Sequence, residues 1–191
     1  MTFEILNKVD MLIRSVGVIG ENHGNDIKPA INLSIECSVT NTWLDNLAKG
    51  LLKALYVKAK PGEQGQLDGV EPVSELPTVR FQAIKQFNWH EEYTGRTLVL
   101  DNGISDGAAI IMNDAKVKAI SLELKEGSVV VRFQVYRSAL DEKERGRITS
   151  LIQSKHQGRV LSPEPSGQAD VEDNVVPIKS AEQVFAEQHG R

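Results

Sequence analysis

A chain of 191 residues, 40% hydrophobic and 25% charged with a formal net charge of −4, has the composition of an ordinary globular protein with one full core and a tail. No run approaches the roughly 18 apolar residues of a membrane span, and the opening MTFEILNKVD, with its acidic residues and no apolar h-region, is not a secretory signal. The lone cysteine, Cys37, excludes an internal disulfide and reads as a buried reduced thiol, which places the chain in a reducing cytoplasm.

Charge is unevenly distributed. From Ser162 to Arg191, Glu164, Asp170, Glu172, Asp173, Glu182 and Glu187 face only Lys179 and Arg191. Residues 1–161 are neutral, with a mildly basic second half. This divides the chain into a single domain over 1–161 and an acidic, largely disordered tail over 162–191.

In chain order, residues 9–19 read as a strand, and Gly20 to Asp26 as a turn-rich loop. Ile31, Leu33, Ile35, Cys37 and Val39 alternate with polar residues, the pattern of a strand buried on one side. Asn41 or Thr42 then caps a helix over 42–56, with Leu44, Leu47, Leu51, Leu52 and Leu55 on one face. Gly50 weakens that helix by about 1 kcal/mol relative to Ala and marks a close contact with the sheet. Lys58 to Pro77 is an exposed loop rich in Gly and Pro.

The chain is organised around Thr78 to Ser138, where strands are expected at 79–87, 96–101, 107–112, 116–124 and 129–137. Its clearest hairpin turns at Lys125-Glu126-Gly127-Ser128. A second helix spans 140–155, with Ile148, Leu151 and Ile152 inward, and Arg159 to Leu161 form a short closing strand. The fold class is α+β: a mainly antiparallel sheet of seven or eight strands with two amphipathic helices. Residues 33–56 also match 129–152 at a constant offset, including Leu44-Asp45 with Leu140-Asp141 and Gly50 with Gly146. Either an internal ββα repeat or convergence of two strand–helix units accounts for the match.

No catalytic or metal motif stands out, so an enzyme is not expected, and neither is a cofactor. His23, His90, His156 and His189 lack ligand spacing, and the adjacent Glu91 and Glu92 on a strand would face opposite ways. Asp101, Asp106 and Asp114 sit at turns and would meet a cation only if their loops converged. Gly-rich phosphate loops are missing. The positive signal is basic residues interleaved with aromatics: Arg80-Phe81, Lys85 to His90, Tyr93 to Arg96, and Arg132 to Arg137. Phe81 and Phe133 fit the core. Lys85, Trp89, Tyr93 and Arg96, extended by Arg132, Tyr136 and Arg137, form the expected site, since cations and stacking rings hold single-stranded nucleic acid.

Phe87 to Leu100, with Trp89-His90-Glu91-Glu92-Tyr93-Thr94-Gly95, resembles a family of small uncharacterised phage and prophage proteins. Val129 to Leu161, with Val-Arg-Phe-Gln-Val and Leu-Asp-Glu-Lys, resembles it too. Their genes lie among replication and recombination functions. The resemblance covers residues 1–161 and implies an accessory role on DNA or on a DNA-processing protein of phage or host. Two readings follow. The first is a single-stranded nucleic-acid-binding module whose acidic tail, through Asp170 to Ile178, tethers partner proteins. The second is a protein-binding inhibitor or modulator of a host nuclease or defence complex. A small β-rich enzyme using turn carboxylates is a third. Self-association is compatible with each, and none needs a membrane.

Overall fold

The computed structural model describes residues 2–24, 26–59, 76–101, 109–138, 146, 148 and 155–163. Most of the expected helix over 140–155, the loop after Lys58 and the acidic tail after Pro163 therefore lie outside the described residues. Nine strands are described: β1 Ile5–His23, β2 Asp26–Thr40, β3 Tyr56–Val57, β4 Thr78–Val79, β5 Gln86–Trp89, β6 Tyr93–Leu100, β7 Ile110–Lys125, β8 Ser128–Arg137 and β9 Lys155–Leu161. Seven of them run β5-β7-β6-β9-β1-β2-β8, and β7 also pairs with β8. That last pairing closes six strands into a barrel, with β5 added along β7. Every pairing is antiparallel. The expected antiparallel sheet is present, but as a closed barrel rather than an open layer. β3 and β4 form a separate pair.

Alternation explains the wall. Leu33, Ile35 and Cys37 pair with Val135, Phe133 and Val131, and all six face the interior. Phe3, Trp43, Tyr93 and Phe133 fill one region of the core, the ring of Phe3 lying 5.5, 5.9 and 5.0 Å from those of Trp43, Tyr93 and Phe133 respectively. The Tyr56 hydroxyl sits 2.9 and 2.8 Å from the carbonyl oxygens of Lys125 and Ser128, fastening the β7–β8 turn. Burial, with the neighbouring Glu36 carboxylate, pushes the Cys37 thiol up to about 12.

Closure requires strong local curvature, and extra residues supply it. Arg14 adds one on β1, Gly95 (φ 68°) one on β6, and Asp114 (φ 52°) and Ala119 (φ 51°) one each on β7. The expected break at Asn113-Asp114 is thus a bulge inside one continuous strand, not a turn between two. Conversely, the strand expected over 79–87 is interrupted, because the chain bends between Val79 and Gln86.

The first expected helix is also broken. A 3₁₀ turn at Asn41–Trp43 leads into α1 (Leu44–Leu47), and α2 (Leu51–Leu55) follows after a gap. Gly50 adopts φ 88° with open space around it, so it provides a left-handed backbone rather than a close sheet contact. Asp45 Oδ1 accepts the N–H groups of Gly50 and Leu52 across that break. Asn41 caps no helix; it is buried and donates to the Leu76 carbonyl. Gly146 is helical where its match Gly50 is left-handed, so the two glycines of the 33–56 and 129–152 match do different conformational work.

β9 is longer than the three residues expected. It pairs with β1 on one side and β6 on the other. A Cβ built on Gly158 would lie 2.7 Å from Met11 Sδ and 2.8 Å from Leu100 Cδ2. Gly158→Ala is therefore expected to destabilise by about 1–3 kcal/mol through overpacking, a fall in Tm of roughly 2–12 °C; an unchanged melt would show that the wall gives way freely. Ala119→Gly removes a left-handed strain that costs an L-residue about 1–2 kcal/mol, partly offset by the extra freedom Gly loses on folding, and a modest rise in Tm is expected.

Candidate nucleic-acid interface

The seven residues expected to form a site separate into three environments. Tyr93 and Arg96 are buried, at 7% and 8% exposure. Arg96 donates to Ser162, lies 3.9 Å from Glu4, and places its guanidinium 5.4 Å from the centre of the Tyr93 ring. Burial raises the Tyr93 phenol, whose hydroxyl accepts from Trp89 Nε1 at 3.0 Å and donates to Glu91 at 2.9 Å. Trp89 is half-buried and packs on the core beside Phe87. Lys85 is exposed, on a cleft also lined by Glu123 and Lys125. Trp89, Tyr93 and Arg96 therefore form a structural connection between β5, β6 and the N-terminal segment, and the exposed Lys85 stands apart from them.

Arg132 stands on the outer face, in a line of alternating charge across β1, β2, β8 and β7. Arg14 reaches Glu36 at 2.8 Å, Arg132 reaches Glu36 at 2.7 Å and Glu123 at 2.8 Å, and Lys125 pairs with Glu123. Three cations meet two carboxylates, so Arg132 is largely neutralised. Burial acts to raise the Glu36 carboxyl, but hydrogen bonds from Arg132 and Arg14 outweigh it and hold the group below the usual carboxylate range. Hydrogen bonds from Lys125 and Arg132 lower Glu123 in the same way.

Tyr136 and Arg137 occupy the far end of β8. The register sets Tyr136 opposite Asn32 of β2 and Lys116 of β7, and Gln134 opposite Ser34 and Lys118. The interior-facing Val135 and Val117 lie between them, so all of these polar side chains project outward. Lys118 Nζ lies 4.7 Å from the Tyr136 ring centre, and Asn32 donates to Gln134 at 3.2 Å. The Tyr136 hydroxyl and Asn32 Oδ1 are buried and have no hydrogen-bond partner among the described residues. Lys116 is partly exposed and reaches Glu92 at 3.3 Å.

Lys116, Lys118 and Asn32 were missed as candidates because they reach Tyr136 and Gln134 across strands and are not basic–aromatic neighbours along the chain. Pairing back from the β7–β8 turn alone would set Ala119 opposite Gln134 and Val117 opposite Tyr136; the signal that finds the lysines is the slip in apolar alternation from Val117 to Ile120, which marks one extra residue at Ala119 and carries Lys118 to Gln134 and Lys116 to Tyr136.

Beyond this face, β1 and β2 run past their neighbours. β9 leaves β1 at Leu12, and β8 leaves β2 at Ile31. The remaining hairpin is a two-stranded arm on which Val18, Ile19 and Ile27 are 49%, 49% and 74% exposed. Among the described residues no three of His, Cys, Asp and Glu come together as a metal site, and no helix is long and apolar enough to cross a membrane. Comparison with protein-family models, with curated proteins and with solved structures finds no match.

The charge line has a measurable consequence. The folded pKa of Glu36 lies below its unfolded value near 4.5, so its stabilising contribution is present above about pH 4.5 and is lost as pH falls through the depressed value. Glu36→Gln should be less stable than the parent at neutral pH, and the difference should shrink in urea titrations below about pH 4.5.

Proposed function

We propose that this protein is a phage-type accessory protein that binds single-stranded nucleic acid, probed most readily as DNA, on the outer face of β2, β8 and β7. The observation that carries this reading is the line Asn32–Tyr136–Lys116 across three strands, with Lys118 against the Tyr136 ring. An aromatic face with adjacent cations is the chemistry that holds bases and phosphates without sequence readout. Amides beside it supply donors and acceptors for base edges. Small closed antiparallel barrels of the OB type present strand faces of this sort to oligonucleotides, although six strands close this barrel. The face rests on Tyr136, Lys116 and Lys118: Arg137 pairs across from the buried Ile31 and so has the opposite phase to Tyr136, Lys85 lies opposite Leu124, and Arg132 is already paired with Glu36 and Glu123. The resemblance of Phe87–Leu100 and Val129–Leu161 to proteins encoded among replication and recombination genes supports the same reading. The acidic tail then serves as a tether for a DNA-processing protein in the cytoplasm.

The exposed Val18, Ile19 and Ile27 favour a second reading, in which the arm seats a host or phage protein that this chain modulates. The neutral charge of residues 1–161 also fits that reading.

Fluorescence anisotropy with labelled single-stranded oligonucleotides at two salt concentrations separates the two. Binding that weakens with salt supports the nucleic-acid face. Tyr136→Ala should then weaken it roughly 5- to 150-fold, from ~1–3 kcal/mol of stacking per base. Lys118→Ala should reduce the salt slope by about 0.7 for a single strand. No binding at low salt would replace this proposal with the protein-binding reading.

A further inference from the structure

Closing the barrel leaves β5 as the only one of the seven strands with a single neighbour among the described residues. The chain from Gln86 to Leu100 runs along one edge of β7. Its β6 part is covered on the far side by β9, and its β5 part is not. The pairing phase of β5 is fixed. Leu124 N–H donates to the Lys85 carbonyl at 2.9 Å, and the register continues through Phe87↔Leu122 and Trp89↔Ile120. In an antiparallel ladder alternate residues exchange their backbone bonds with the same neighbour. Lys85, Phe87 and Trp89 therefore spend theirs on β7, while Gln86 and Asn88 present N–H and C=O groups outward. An edge of this kind is a template for another strand, and natural edges are usually guarded by Lys, Pro or a bulge. Gln86-Phe87-Asn88-Trp89 has none of these.

We propose that this edge pairs with the same edge of a second copy of the chain, antiparallel and two-fold symmetric about Asn88. Backbone phase admits only registers that match outward-facing residues with each other: Gln86 with Gln86, Gln86 with Asn88, or Asn88 with Asn88. The first places Lys85 opposite Phe87 of the partner subunit, and the second opposite Trp89 of the partner subunit. The third places Lys85 opposite Glu91 of the partner subunit and Phe87 opposite Trp89 of the partner subunit, each twice by symmetry. Opposite charges and paired aromatics directly across an antiparallel pair are favourable, and like charges are not. The exposed Glu91 carboxylate is held in place by the Tyr93 hydroxyl at 2.9 Å. Phe81 and Ile84, just before β5 in the chain, are 51% and 42% exposed. A self-complementary patch of this kind gives a closed dimer rather than a filament. The inference is independent of what the outer face of the barrel binds.

Sedimentation velocity on the full chain across a concentration series tests it, with thermal melts as the control for folding. A monomer–dimer equilibrium is expected. Asn88→Pro removes an outward N–H that the β5–β7 ladder does not use, a substitution an edge strand accepts, and should leave a folded monomer. Lys85→Glu sets like charges opposite each other twice and should weaken dimerisation by roughly tenfold or more. Adding Glu91→Lys to it should restore the dimer. A monomer at every concentration, a dimer indifferent to Asn88→Pro, or a double reversal that fails to restore association would overturn the proposal.

Discussion

The structure depends on the fit of β9 between β1 and β6. Without that strand, β1 and β6 would be the two ends of an open sheet, and the interior faces of Met11, Leu98 and Leu100 would lose their wall. The fit is tight because Gly158 carries no side chain where Met11 and Leu100 meet. A closed barrel has no free edges within its ring, so every backbone group that closure satisfies is withdrawn from chance pairing. Among the described residues, the surfaces left for recognition are then the outward side chains, the β1–β2 arm and the short β5 edge.

Closure also decides which side chains face out. Six strands can meet only if some of them bend sharply, and each bulge that bends a strand also shifts its side-chain alternation by one residue. Gly95 does this on β6. Tyr93 and Arg96 are three residues apart and should face opposite ways on a regular strand, yet both are buried, because the extra residue at Gly95 reverses the phase. Curvature of the wall therefore turns a cation inward, where Glu4, Ser162 and the Tyr93 ring compensate its charge.

Much of the architecture was legible in the sequence for physical reasons. Ile31 to Val39 and Val129 to Val135 alternate cleanly because one face of each packs on the core and the other meets water. The Lys125–Ser128 hairpin announces itself through Gly127, which takes φ 67°. Closure was not legible, because it depends on β9 meeting β1 and β6 across long stretches of chain. In β9, His156, Gln157 and Gly158 carry no apolar alternation, so only Arg159 to Leu161 stood out. Asn113-Asp114 reads as a turn because Asp tolerates the left-handed region, and that tolerance serves a bulge equally well. Gly50 reads as a packing contact only if the helix continues through it. The candidate site was legible in part: Tyr136 stands on the outer face where alternation puts it, the same alternation gives Arg137 the opposite phase, across from the buried Ile31, and Tyr93 and Arg96 were misplaced by the unseen bulge.

The fate of the basic–aromatic clusters shows why proximity along a strand is a weak guide to a surface. Neighbours i and i+1 face opposite ways, so Arg132 and Phe133 were never candidates for one site, and the true neighbours of Arg132 are Glu36 and Glu123 on the flanking strands. Two carboxylates close to one guanidinium leave little field for a phosphate. At the other end of β8 the flanking strands offer Asn32, Ser34, Lys116 and Lys118 instead; Lys116 pairs with Glu92, and Lys118 lies against the Tyr136 ring. One strand thus carries a structural arginine and, four residues on, an aromatic with recognition chemistry around it. The difference between them lies wholly in what β2 and β7 bring alongside.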